Sequence, residues 1–272
     1  MHDVLNPVEI LRHLWGLRNL CMKLSRKAIL VRYRGSLLGF LWAFVQPLMM
    51  LAVYTFVFSV IFEAKWGQDM DQGRLSFALA LFVGILTFNI IGDTVNASPQ
   101  LILGHANFVK KVVFPLEVLP LVKLIESIVF SSLGLVVLLA AQLIHDHRLS
   151  WTLIFLPIVW LPVGLFALGW SYVIASLGVF IRDIGSITGV AVSMLFFLSP
   201  IFYPLSAVPE SLKIYCRLNP IAVFVQDARR VVLWGQMPDW PWLCGYFFIS
   251  LATLVVGFAW FMKSKKAFAD VL

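Results

Sequence analysis

The sequence predicts an all-α membrane protein with six transmembrane helices, an N-terminal interfacial helix and an outer re-entrant helical pair between spans five and six. Three observations carry that prediction. Gly35–Phe62 runs 28 residues without one Asp, Glu, Lys or Arg, and further long apolar stretches follow it. The chain is 61% hydrophobic and 13% charged, with a mean hydropathy of +0.91, whereas soluble domains carry about 25% charge. Lys23, Arg26, Lys27, Arg32 and Arg34 stand directly before the first run, and short basic flanks of this kind resist translocation.

A helix crosses a ~30 Å hydrocarbon core with about 20 apolar residues, which sets the expected spans. They fall at 35–62, 75–97, 116–144, 151–181, 184–203 and 240–262. Leu75–Gly92 is charge-free and its helix continues past Asp93. The third helix begins near Leu116 and holds Lys123 and Glu126, three apart on one face and able to pair, which lowers the cost of burying either. Leu149–Ile181 is uncharged, with Pro157 and Pro162 near its start. Pro200, Pro204 and Pro209 end the fifth helix near Tyr203, because proline lacks the N–H a helix interior needs.

Two segments are neither spans nor ordinary loops. Residues 1–34 alternate Leu11, Leu14, Trp15, Leu20, Leu24, Ile29 and Leu30 with basic residues, the pattern of an amphipathic helix lying in the interface. Residues 204–239 are apolar although topologically external. Asn219-Pro220 divides them into two helical pieces, and Gly235 can end the second. The N-terminus has no continuous apolar core with a cleavage site, so no signal peptide is expected. With both termini inside, thirteen Lys/Arg fall on the inner side and seven on the outer, a bias that favours both ends in the cytoplasm.

What is missing narrows the function. A net charge of +7 without a basic stripe interleaved with aromatics excludes nucleic acid as the expected partner. No phosphate-binding loop, metal-ligand cluster or nucleophile elbow occurs, so the chain is read as a non-enzyme with no catalytic residues, metal or cofactor of its own. Cys21, Cys216 and Cys244 read as small packing residues, although the last two share the outer side.

Four segments carry a family likeness. R-Y-R-G-S-L-L-G-F-L-W-A-F-V-Q-P-L (Arg32–Leu48), N-F-V-K-K-V-V-F-P-L-E-V-L-P (Asn107–Pro120), L-S-P-I-F-Y-P-L-S-A-V-P (Leu198–Pro209) and L-N-P-I-A (Leu218–Ala222) occur in that order. Together they resemble the membrane subunits of polysaccharide-exporting ABC transporters, which export O-antigen, capsule and teichoic-acid chains. The likeness implies a homodimer in the bacterial inner membrane, joined to two copies of a separate subunit that binds ATP and Mg. The implied substrate is a lipid-linked glycan. Two other functions stay open: an ABC exporter of a drug or small lipid, and a non-transport scaffold for a glycan synthase.

The same likeness assigns the coupling residues, and residue chemistry supplies two further candidate groups. A cytoplasmic coupling segment is expected at 98–115, its helix within Pro99–Val113, with His105, Asn107, Phe108, Lys110 and Lys111 facing the ATPase and Glu117 positioning it. Lys110 and Lys111 also serve as topology signals. Tyr54, Phe58 and Phe62, four apart on one helix face, join Phe196, Phe197 and Tyr203 as channel-lining rings over which sugar C–H faces could slide. The competing reading is the aromatic girdle common to membrane proteins. Arg26, Arg32 and Arg34 suit a substrate phosphate at the inner interface, and attraction to anionic lipid explains them equally.

Overall fold

The computed structural model describes residues 7–57, 74–107, 114–205 and 208–271, and every regular element among them is helical. An N-terminal arm, α1 (Pro7–Gly16) and α2 (Arg18–Arg32), leads through the 3-10 turn Gly39–Leu41 into α3 (Trp42–Tyr54). The long helices α4 (Arg74–Leu103) and α5 (Val118–Asp146) follow. A 3-10 turn, Trp151–Phe155, opens α6 (Leu156–Phe180), and α7 (Ile184–Leu198) comes next. Two short helices, α8 (Glu210–Leu218) and α9 (Pro220–Val232), precede α10 (Trp240–Ser264) and the terminal turn α11 (Phe268–Val271).

Among the described residues, five segments are long and apolar enough to cross a membrane: Gly39–Val57, Ser76–Leu103, Val118–His145, Trp151–Phe180 and Trp240–Val271. The helix expected at 184–203 is shorter. It stops at Leu198, because Ser199 turns to an extended conformation and Pro200 cannot supply the next helical N–H. Its 15 residues cover ~22 Å at ~1.5 Å per residue, less than a full crossing. The N-terminal arm is two helices rather than one, hinged at Gly16–Leu17 and buried only along Ile10, Leu14, Cys21 and Ser25.

The bundle is centred on α4 and α6. Without a hydrophobic drive between helices in lipid, close approach depends on small residues and shared hydrogen bonds, and both are present. Gly178 of α6 lies against Pro99 of α4, where an added Cβ would come within 2.8 Å of the Pro99 Cα. On the same interface, the Ser98 and Ser171 hydroxyls hydrogen-bond at 2.6 Å. On the other face of α6, Gly169 meets Gly257 of α10 backbone to backbone, and a Cβ on Gly169 would reach the Thr253 carbonyl at 2.6 Å.

Burial is very uneven. Within their most apolar windows α4 is 89% buried and α3 only 11%. Along α7, Ile187, Val190, Met194, Phe197 and Leu198 are likewise exposed. Both poorly covered helices pack on α4.

The segment between α7 and α10 breaks at Asn219–Pro220 as the sequence predicts. The Asn219 side chain caps α9 by accepting from the Ile221 N–H at 3.0 Å and donates to the Ser199 hydroxyl at 3.0 Å. Gly235 follows with a φ of +62°. The α9 helix is packed into the bundle rather than laid over it, with Phe224, Val225, Ala228, Val231 and Val232 buried.

Candidate functional site

A cleft of about 250 Å³ lies between α3, α4, α5 and α7. Helical periodicity builds it. Ala43, Gln46, Pro47, Met50 and Tyr54 recur every three or four residues along one face of α3. The facing stripe of α4 carries Phe82, Ile85, Leu86, Asn89 and Asp93. Phe130 and Ser131 of α5 and Phe196 of α7 close the sides, while Arg32 and Tyr33 line one end. Inside an otherwise apolar bundle the lining therefore offers amide, hydroxyl and carboxylate groups beside rings. The Ser131 hydroxyl is buried without a hydrogen-bond partner among the described residues.

Charge is concentrated where α2 meets α5. Arg32 Nη1 donates to Glu126 Oε1 at 3.1 Å, and its guanidinium carbon lies 4.2 Å from the Phe130 ring centroid. Lys123 Nζ is 3.2 Å from Glu126 Oε2, the pairing expected from their spacing. Arg32 is thus oriented by a carboxylate and an aromatic face, which fixes a planar donor fork at the mouth of the cleft.

At the α3 end and on α7 the aromatic residues divide. Tyr54 and Phe196 line the cleft. Phe196 also packs on Phe88 at 4.8 Å and Phe202 at 4.9 Å. Phe197 faces outward and stacks on Phe202 at 5.6 Å. The Tyr203 hydroxyl donates to the Leu198 carbonyl at 3.2 Å in the turn after α7. Phe58 and Phe62 lie outside the described residues. Of the basic candidates, Arg26 and Arg34 are exposed and away from the cleft lining.

A second cluster forms at Glu117, just before α5. Its side chain is 3% exposed, yet it accepts from His13 Nε2 at 2.9 Å and Lys265 Nζ at 2.7 Å. The Tyr172 hydroxyl donates to its backbone carbonyl at 2.9 Å. One residue therefore ties α1, α6 and the chain end after α10 to the start of α5. Burial pushes the Glu117 carboxyl up, but the hydrogen bonds from Lys265 and His13 outweigh it and hold it below the usual carboxylate range. His105 is exposed and donates from Nδ1 to the Leu101 carbonyl at 2.8 Å, and Asn107 is exposed. Phe108, Lys110 and Lys111 lie outside the described residues.

The sequence profile described as ABC-2 type transporter matches residues 19–234. The chain belongs to that family. Among curated relatives of this ABC-2 chain, the O-antigen export system permease protein RfbA of Myxococcus xanthus is 26% identical over 265 residues, covering 97% of this chain and 99% of that protein. A Klebsiella pneumoniae protein of the same name is 25% identical, covering 93% and 95%. The polysialic acid transport protein KpsM of Escherichia coli is 21% identical, covering 89% and 92%. The likeness carried by the four motifs agrees with these matches.

Several residues of this ABC-2 chain escaped the sequence reading. Asn89 and Asp93, four apart in an apolar span, are a legible polar stripe, but Gln46 and Ser131 join it only through packing. Arg229 reads as an external loop charge. It is instead fully buried, donating from Nε to Ala80 O at 2.8 Å, Nη1 to Pro200 O at 2.8 Å and Nη2 to Ile201 O at 2.7 Å. Gly84 makes room for it, since a Cβ there would lie 2.8 Å from Nη2.

Proposed function

We propose that this chain is the permease subunit of an ATP-driven exporter that moves a lipid-linked polysaccharide across the inner membrane. One observation carries the glycan reading: a cleft within an apolar bundle lined by Gln46, Asn89, Asp93 and Ser131 together with Tyr54, Phe82, Phe130 and Phe196. An apolar drug has no use for those amides and the carboxylate, whereas sugars present hydroxyl edges and C–H faces that match both kinds of group. The names of the relatives point the same way.

In this reading the protein works as a homodimer. The exposed apolar faces of α3 and α7 flank the cleft, and a second copy would cover them and turn two clefts into one conduit. The α7 helix counts as the fifth span and brings the number to six, with local bilayer thinning absorbing its short length. Both termini are cytoplasmic, and α8 and α9 form the outer re-entrant pair. Two copies of a separate subunit bind ATP and Mg and dock on 98–115 through His105, Asn107, Phe108, Lys110 and Lys111. The Glu117 cluster passes their movement to α1, α6 and α10. Arg26, Arg32 and Arg34 receive the lipid-linked phosphate, with the fork of Arg32 already oriented. Tyr54 and Phe196 line the path, with Phe58, Phe62, Phe197 and Tyr203 toward the exit.

Deletion and complementation in the native host test this reading. Loss of the gene should abolish surface polysaccharide while lipid-linked glycan accumulates inside, and the intact chain should restore export. A Tyr54→Ala, Phe196→Ala double variant should restore it roughly tenfold less well, two ring contacts at ~0.5–1.5 kcal/mol each. Unchanged surface polysaccharide in the deletion strain overturns the proposal.

A further inference from the structure

The cleft is not the only place where polar groups and a ring converge. A separate cavity of about 290 Å³ sits among α8, α9 and the start of α10, lined by Gln226, Asp227, Arg230, Asp239 and Trp242 with Cys216 at its edge. Its central group is unusual. Asp227 is 1% exposed. Its Oδ1 accepts the Asp239 N–H at 2.9 Å, and its Oδ2 has no hydrogen-bond partner among the described residues. Buried carboxylate oxygens are nearly always paired, so an orphan of this kind calls for an explanation. Burial pushes the Asp227 carboxyl above the usual carboxylate range, the direction expected of a charge short of donors.

The surroundings narrow what could supply those donors. Arg230 is held by donation from Nε to the Met237 carbonyl at 2.9 Å, and its Nη1 lies 4.0 Å from Asp239 Oδ2. A guanidinium beside the acids disfavours a divalent cation, which would be repelled by it. Trp242 stacks on Tyr246 at 6.2 Å with an interplanar angle of 22°, and it remains two-fifths exposed. Carboxylates to accept from hydroxyls, an amide and a guanidinium to donate, and a rigid indole are the components that recognise a neutral pyranose. The volume is at the low end of ligand pockets, ~300 Å³, which suits one sugar ring.

We propose that this cavity is a second glycan subsite on the outer side. In it Asp227 and Asp239 accept from hydroxyls of one sugar residue, Gln226 and Arg230 donate, and Trp242 offers a stacking face. The inference rests on the export reading, which puts residues 204–239 on the outer side of the membrane. It adds a handhold for emerging polymer, distinct from the cleft among α3, α4, α5 and α7.

Calorimetric titration of the full-length chain in lipid nanodiscs, with mannotriose, galactotriose and rhamnotriose as probes, tests it. At least one trisaccharide should bind. Asp227→Asn and Trp242→Ala should each weaken it roughly tenfold, and Trp242→Phe should keep most of the affinity. Asp227→Asn and Trp242→Phe preserve shape, and their melting temperatures should match the unsubstituted protein. No binding of any probe, or equal affinity in all variants, overturns the subsite. So does terbium luminescence that depends on Asp227, which would assign the site to a cation. The deletion strain separates the two proposals. If surface polysaccharide disappears there while the variants bind like the parent, the subsite alone fails; if it persists, the export reading fails.

Discussion

Replacing Arg229 by methionine is expected to cost most of the protein's stability. The guanidinium is fully buried and donates to three backbone carbonyls, those of Ala80, Pro200 and Ile201. Two of these carbonyls belong to the broken end of α7, where Pro200 removes the helical donors. Methionine fills similar space but donates nothing, which strands three buried acceptors at ~1–3 kcal/mol each. A loss of roughly 3–9 kcal/mol is comparable with the whole stability of many proteins, ~5–15 kcal/mol. Arg229→Lys should recover only part, because an ammonium cannot match a fork aimed at three carbonyls. Gly84→Val should act in the same direction by displacing the guanidinium. The measurement is the yield and melting temperature of monodisperse protein in detergent. An Arg229→Met variant that melts with the parent contradicts this role.

Replacing Glu117 by alanine is expected to uncouple the transporter while leaving it folded. The carboxylate holds His13 and Lys265, which are half-exposed and partly exposed and can return to water when it is gone. The stability cost is therefore modest, about 2–3 kcal/mol for lost charged hydrogen bonds. The mechanical cost is larger in the proposed function, because α1, α6 and the chain end after α10 are all tied to this residue beside the proposed coupling segment. ATPase activity of the assembled complex should persist, and its stimulation by lipid-linked glycan should disappear. The pH dependence follows from the sign of the shift. A folded carboxyl held below its ordinary value of 4.5 contributes fully above that value. The contribution is lost as pH falls through the lowered folded value. The parent should thus lose stability below about pH 4.5 more steeply than Glu117→Gln, read as melting temperature against pH. Parallel curves contradict the cluster.

The architecture was legible in the sequence where lipid imposes a hard rule. Charges are costly in hydrocarbon, so charge-free runs such as Gly35–Phe62 and Leu149–Ile181 mark helices whatever their neighbours do. The Lys123–Glu126 pair was legible for the same reason, as three-residue spacing settles which face each occupies. The end of α7 was less so. Three prolines compete to stop that helix, and Pro200 acts first because Ser199 has already turned extended.

The site was legible only in halves. Tyr54, Phe196 and Arg32 could be picked out by residue type, but nothing local says that they line one cleft while Phe197 and Tyr203 do not. That depends on how α3, α5 and α7 seat against α4. Arg229 was misjudged for the same reason. Its partner Ala80 is 149 residues away in the chain, and a cation in an external segment ordinarily stays in water. A glycine facing it from another helix, Gly84, is a signal only once the helices are packed.

The most direct test of the central claim, that polysaccharide passes along the cleft, is photo-crosslinking in cells making the polymer. A benzophenone amino acid at Tyr54 should yield an adduct that reacts with a probe for the glycan and that vanishes when ATP is depleted. The same group at Val136, exposed on α5 and outside the cleft lining, should yield lipid adducts alone. Glycan captured at position 54 and not at 136 is the result this account predicts. Surface polymer that accumulates normally with no glycan adduct at position 54 would contradict it.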